Sequence, residues 1–528
     1  MKLTNQTNKI LGKDWLHYHP YSDITLVDNY YIALCNNVLK IIQQSEIAEL
    51  IDSLKEKKAL ACVLVAYFED VISETRLFSA FTRRHKQMYG KELPFYETSD
   101  YYDDEINLYD IYSLIWYRIS IQDEETLIDP YFENSRALND AVSKIYNLFN
   151  SEFEEAPQNE NLQNFLQLSA GSDVKTVREK LSFIACQSFL WQAVFDNYFN
   201  EVLDKYKEND IAVLDERAEV NIYDRQIHFI FNQCMPLLSM RANEYFAEML
   251  GEEHSEYSFI KNISKRIYGC FLIRKIEKDG FWIEHLSSKK QLWLSNEFTS
   301  LQDIQLVENE TVLTIGLVQW KEDVWQNQGG CIVNTINEIQ EDVSKHLFDD
   351  ENEKKKLVEN LEKAFLELTN GERIVYLRNN REYAEFHLNL LRKHAKRVKP
   401  QITDEELDGK YKNLMEQQEK DMPFDKDEAV GVFFNSNSGL EVYREFLISC
   451  MSDKNNPYYD QQASDLCDLL TDKTISKEFV NYVVENEIIE LCFRKNPDMF
   501  SILMENLDFL LRFYRLSQYF SKPEVTIK

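Results

Sequence analysis

The chain has 528 residues and a formal net charge of −31, with 32 Phe, 29 Tyr and 7 Trp. So many aromatic side chains exclude a mostly disordered chain, and so much acidity disfavours general binding to phosphate backbones or anionic lipid. Only 13 Gly and 10 Pro argue for long helices and against a mostly β chain.

The expected fold class is predominantly α with a small β-barrel, a multi-domain α+β protein. The nine cysteines are scattered, with no Cys-x-x-Cys. That pattern reads as reduced, buried thiols. Residues 1–19 lack the apolar run of a signal peptide, and the longest apolar stretch, residues 59–68, is shorter than the about 20 residues a spanning helix needs. The expectation is a cytoplasmic protein with no membrane association.

Residues 1–262 read as a helical domain. Asp14-Trp15-Leu16 and Asp28-Asn29-Tyr30-Tyr31 look like helix starts. Val174, Val177, Leu181 and Ile184, then Trp191, Phe195 and Phe199, recur at three- and four-residue spacing, which places them on one helical face. The acidic, Pro-containing stretch 152–161 suggests a split of this region. His17 and His19 are the only close histidine pair; a polar arm is the preferred reading over a metal site. The acidic clusters 100–105 and 123–125 lack the glycine of a calcium loop, and read as solvated loops.

Residues 263–336 change period. Short β-branched and aromatic runs at 270–273, 281–286, 291–294, 311–318 and 330–333 are separated by turn signals, with Asp279-Gly280 the clearest. They predict a small antiparallel barrel of about five strands, Src-homology-like or OB-like. Four of the seven tryptophans, Trp282, Trp293, Trp320 and Trp325, fall here. Packing explains them first; an exposed aromatic groove for an extended peptide is the functional alternative.

Residues 337–528 return to helices with a few short strands, at 373–377 and 429–434. Arg392, Lys393, Lys396 and Arg397 form a dense basic run. Helix-end cations are the ordinary reading; an anion or acidic-partner site is the alternative. Phe433-Phe434-Asn435-Ser436-Asn437-Ser438-Gly439 reads as strand, tight turn and helix start, whose N–H groups would suit an anion. Asn435, Ser436, Asn437 and Ser438 are therefore candidate contacts.

Common catalytic and nucleotide-binding spacings are missing: no Gly-x-Gly-x-x-Gly, Gly-x4-Gly-Lys-Ser/Thr, His-Glu-x-x-His or Gly-x-Ser-x-Gly occurs. No catalytic residue, metal ligand or cofactor is expected. The segments 28–36, 431–439, 455–460 and 507–514 resemble an uncharacterised bacterial family, a domain of unknown function. That resemblance implies no activity and carries over no functional residue.

The leading expectation is a cytoplasmic binding or adaptor protein with a protein partner and no catalysis of its own. One alternative is an enzyme of unrecognised type, holding an anionic ligand near the C-terminal basic helix. The other is a nucleic-acid-binding barrel, since residues 261–290 sum to a positive charge.

Overall fold

The computed structural model describes residues 8–51, 53–122, 136–208, 216–296, 306–339, 351–403, 405–407, 409, 427–460, 467–488 and 497–520. The candidate cluster 123–125 lies outside them. The chain forms two compact units: Met1–Leu347 with Asn506–Lys528, and Phe348–Glu505. Among the described residues no helix is long and apolar enough to cross a membrane.

The first unit begins with helices α1 (Gly12–Leu16), α2 (Leu26–Gln43), α3 (Leu54–Ile72), α4 (Leu77–Tyr89), α5 (Leu108–Gln122), α6 (Arg136–Glu152), α7 (Glu160–Leu166), α8 (Val174–Cys186), α9 (Gln192–Glu208) and α10 (Glu216–Asn232). Local chemistry sets their ends. Thr25 caps α2 by accepting from the Asp28 N–H, and the Asp28 carboxylate returns to the Thr25 N–H. This reciprocal pair satisfies two otherwise orphaned donors. At α4 the preceding residue, Arg76, has φ 64° and offers no cap of its own. Asp70, from α3, replaces it by accepting from the N–H groups of Leu77 and Phe78. Helix α3 is buried along most of its length. Near the end of the chain the helix Leu507–Tyr514 sets Phe509 and Phe513 against Trp116 at ring separations of 5.9 and 4.9 Å.

Stretch 152–161 lies inside this unit. Its Pro157 carbonyl accepts from the Tyr31 hydroxyl, and Asn159 is buried against Ser73 and Glu69. A polar, proline-containing segment is here a packed connection.

After α11 (Ala242–Leu250) and α12 (Tyr257–Lys261) come five strands: β1 (Ile267–Glu277), β2 (Gly280–His285), β3 (Gln291–Ser295), β4 (Thr311–Lys321) and β5 (Val324–Thr335). They close a barrel in the order β1-β2-β3-β5-β4. All neighbours are antiparallel except β3 and β5, which run parallel. Because β4 and β5 exchange places, the barrel is not a simple meander. Phe271, Ile273, Phe281, Ile283, Leu292, Leu294, Leu313, Ile315, Leu317 and Trp325 fill its interior. Strict in/out alternation along β2 and β3 places Trp282 and Trp293 on the outer face.

The second unit holds α13 (Glu351–Leu368), α14 (Asn380–Val398) and a three-stranded antiparallel sheet. The strands are β6 (Ile374–Leu377), β7 (Val430–Asn435) and β8 (Gly439–Arg444), with β7 in the middle. Val430, Val432 and Phe434 pack one face against Phe365 and Leu390 of the two helices. Phe433 points the other way, to Phe479 of the helix Lys477–Glu485, at 5.2 Å. This alternation explains why every residue of β7 is buried.

Candidate ligand pocket in the helical unit

Four helices of the first unit converge on a cavity of about 520 Å³. Each contributes a stripe at helical spacing: Lys13, Asp14 and His17 from the first turns; Lys55, Glu56, Lys58, Ala59 and Cys62 from α3; Arg118, Ile121 and Gln122 from α5; Gln192, Ala193, Asp196, Asn197 and Asn200 from α9. Residues three or four apart share a helix face, so each stripe arises directly from the helix period.

Arg118 is the deepest cation, with its side chain 9% exposed. One guanidinium nitrogen, Nη2, donates to Glu56 at 2.5 Å, and Gln122 donates to the same carboxylate. Its Nε and Nη1 are buried and make no hydrogen bond. Gln192 donates its amide to Asp196 and meets the His17 ring at 2.7 Å, while its carbonyl oxygen is buried without a partner. Tyr18 also lines the cavity. Burial raises its phenol, with the Arg118 charge opposing that rise.

A second set of polar side chains lies beneath α1 to α3. His19 meets Glu69 at 2.8 Å, both side chains being 1% exposed. Burial alone would lower the imidazole, but the charge and hydrogen bond of Glu69 outweigh it, and the net shift is upward. The ligand atoms of His19, Asp28 and Glu69 lie within 4.8 Å of one another, close enough for a metal. Their lone pairs are already engaged. Asp28 accepts from Trp15 Nε1, the Tyr21 hydroxyl, and the Thr25 N–H and hydroxyl. Glu69 also accepts from Asn159. Burial pushes Asp28 up, yet these donors and His19 hold it below the usual carboxylate range. A cation would have to displace four hydrogen bonds from Asp28, so the arrangement is a closed structural network.

The two close histidines therefore diverge. His17 turns to Asp196 at 3.5 Å, and His19 turns inward to Glu69.

A further cavity, of about 650 Å³, gathers Asp70, Asp103, Asp104 and Asp110 with Tyr67, Tyr101, Arg76 and Arg83. Its buried carboxylates are saturated. Asp110 accepts from Tyr67 at 2.5 Å, from Tyr101 at 2.9 Å and from Asn107 at 3.2 Å. Burial pushes Asp110 up to about 7, these donors only partly opposing it. Asp70 is pushed up to about 6 by the same cause, against its bonds from Phe78, Thr75 and Leu77. The 100–105 cluster is thus mixed: Tyr102 is exposed, while Asp103 faces this cavity.

The C-terminal candidates are placed otherwise than a ligand site requires. Lys393 pairs with Glu367 of α13 at 3.1 Å, and Arg397 pairs with the same carboxylate. Arg392 and Lys396 lie on the same helix, α14, each with interactions of its own. The 435–439 turn joins β7 to β8 as a hairpin, so the expected helix start is corrected: Leu440 to Arg444 alternate as a strand. Gly439 takes φ 98° at the turn, a region glycine favours. Its polar side chains face carboxylates. Asn435 and Asn437 donate to Glu478, Ser436 donates to Glu362, and Ser438 donates to Glu441. That surrounding repels an anion. The variant K393Q/R397Q is expected to change unfolding free energy by less than about 1 kcal/mol, because partly exposed ion pairs contribute little; urea denaturation measures it.

The barrel tryptophans divide. Trp325 fills the barrel, and Trp320 is covered by Phe259 of α12 at 5.6 Å; both are 4% exposed. Neither lines an open groove, which corrects that candidate role for them. Only the two-residue turn Glu322–Asp323 separates their strands. Trp282 is 38% exposed and pairs across strands with Trp293, ring centroids 5.4 Å apart.

Sequence reasoning missed Arg118, Gln192 and the lysines of the cavity, since its four stripes lie far apart in the chain. The available signal was a polar stripe, Gln192, Asp196 and Asn200, one position along from the apolar Trp191, Phe195 and Phe199.

Residues 9–271 match the family described as Protein of unknown function (DUF3843). This match covers α1 to α12 and ends in β1. No curated protein and no solved structure matches the chain.

Proposed function

We propose, taking residues 9–271 as a domain of a family without assigned activity, that this is a non-catalytic binding protein of the bacterial cytoplasm. Its helical unit receives a small polar ligand, and its surface meets a protein partner. The observation that carries this reading is the four-helix cavity, about 520 Å³, in which buried polar atoms of Arg118 and Gln192 await partners. Ligand pockets of roughly 300–1,000 Å³ with a few convergent polar groups are the usual small-molecule sites. His17 is engaged by Gln192 and Asp196, and among the described residues it hydrogen-bonds no nucleophile, which favours binding over catalysis. For the partner, Leu11, Ile24 and Leu26 are exposed near the start of α1 and α2, Leu26 by 89%. A cluster of this kind suits a protein contact.

The test uses the full chain and a defined pool of small polar metabolites. After washing, retained compounds are eluted and identified by mass spectrometry. One chemical class is expected to be retained and recovered unchanged. Conversion of a pool member into a new compound would contradict the non-catalytic reading.

A further inference from the structure

Resting on that reading, we propose that the ligand carries a carboxylate or phosphate group, seated on Arg118 with Lys13, Lys55 and Lys58 around it. Three observations combine.

The first is Arg118 itself. Its guanidinium is buried, one nitrogen binds Glu56, and Nε and Nη1 have no partner. A buried charged donor without an acceptor is strongly unfavourable. An anion supplies acceptor oxygens, and the planar guanidinium is shaped to take two of them at once.

The second is local charge. Four cations, Lys13, Lys55, Lys58 and Arg118, line the cavity against three carboxylates, Asp14, Glu56 and Asp196. All three carboxylates are occupied: Asp14 by Lys58 at 3.8 Å, Glu56 by Arg118 and Gln122, Asp196 by Gln192 and His17. Lys13 and Lys55 make no ion pair among the described residues. Across residues 1–260 the chain sums to −20, so a net positive cavity here stands against its surroundings. A steered anion is the complement of such a spot.

The third is the second unsatisfied atom. The buried Gln192 carbonyl oxygen gives the same ligand an acceptor for a hydroxyl or N–H group. An anion bearing one such donor offers partners to both Arg118 and Gln192.

The ordinary role for Arg118, a strut that pins Glu56 of α3 to α5, predicts loss of stability without loss of binding. The experiment separates the two. Full-length protein is titrated calorimetrically with inorganic phosphate and, separately, succinate, in chloride buffer of matched ionic strength. Arg118→Gln tests the buried cation. Lys55→Glu tests the rim at an exposed position in the first turn of α3, where an acid is tolerated. Binding of at least one anion is expected, weakened about tenfold or more in each variant, since charged hydrogen bonds contribute about 1.5–3 kcal/mol. Equal heats from chloride at the same ionic strength would overturn the proposal. So would unchanged affinity in Lys55→Glu or in a folded Arg118→Gln. Retention of only neutral or cationic compounds from the metabolite pool would overturn the anion assignment and leave the binding reading standing. Retention of nothing would overturn both.

Discussion

Replacing Glu69 by alanine is expected to lower the unfolding free energy by about 3–5 kcal/mol at pH 5.5, the range for breaking a buried ion pair by removing one partner. Glu69 accepts from His19 and from Asn159 in the interior, so alanine leaves both donors stranded beneath α1. The loss depends on pH. His19 is raised in the folded protein by Glu69, against burial. A group raised on folding stabilises fully below its unfolded pKa, about 6.5, and that contribution fades as pH rises through the folded value. The gap between wild type and Glu69→Ala should therefore be wider at pH 5.5 than at pH 9. The double variant H19F/E69L should recover part of the loss, because it removes both charges together. Guanidinium denaturation of the three proteins at the two pH values measures this. A single-variant loss below about 1 kcal/mol would mean that the pair contributes little.

Asp110→Asn should do the opposite at neutral pH and stabilise the fold. The Asp110 carboxyl, pushed up to about 7 by burial, is about three units above its unfolded value near 3.9. The folded state then holds the proton more tightly between pH 4 and 7, so this group's contribution declines as pH rises through that window and is flat above it. At about 1.4 kcal/mol per unit, the ionised form costs on the order of 2–4 kcal/mol at pH 8. Asparagine keeps the shape, and the rotatable hydroxyls of Tyr67 and Tyr101 can still pair with its amide. The variant is expected to match wild type near pH 4.5 and exceed it by several degrees in Tm at pH 8. A parallel pH dependence in the two proteins would show that Asp110 is not the titrating group.

Much of this fold was legible in the chain, for stated reasons. The β-barrel announced itself through period-two alternation and the Asp279-Gly280 turn, because a small barrel must fill its interior from every second residue. Its last strand is longer than the expected run 330–333: it begins at Val324, directly after the two-residue turn Glu322–Asp323. The hairpin after β7 stands where a helix start is expected. Asn435 to Ser438 have the composition of a helix cap, and only the alternation of Leu440, Val442 and Arg444 told against it.

The pocket was not legible. Lys13, Lys55, Arg118 and Gln192 meet only through packing of distant helices, and no local spacing encodes that. The interior carboxylates escaped for a different reason. Asp28, Glu69, Asp70 and Asp110 sit in helices whose charges are ordinarily solvated; their burial depends on donors such as Trp15, Tyr67 and Asn159 supplied from elsewhere. The basic run 392–397 was the reverse case: its local signal was strong, but Lys393 and Arg397 share Glu367 within the chain.

Hydrogen–deuterium exchange of the full chain, with and without a retained ligand, bears most directly on the helical unit as a receptor. Protection should appear together in four separated segments, residues 12–18, 55–62, 117–122 and 192–200. Protection confined to the barrel or to residues 348–505, with those four segments unchanged, would contradict it.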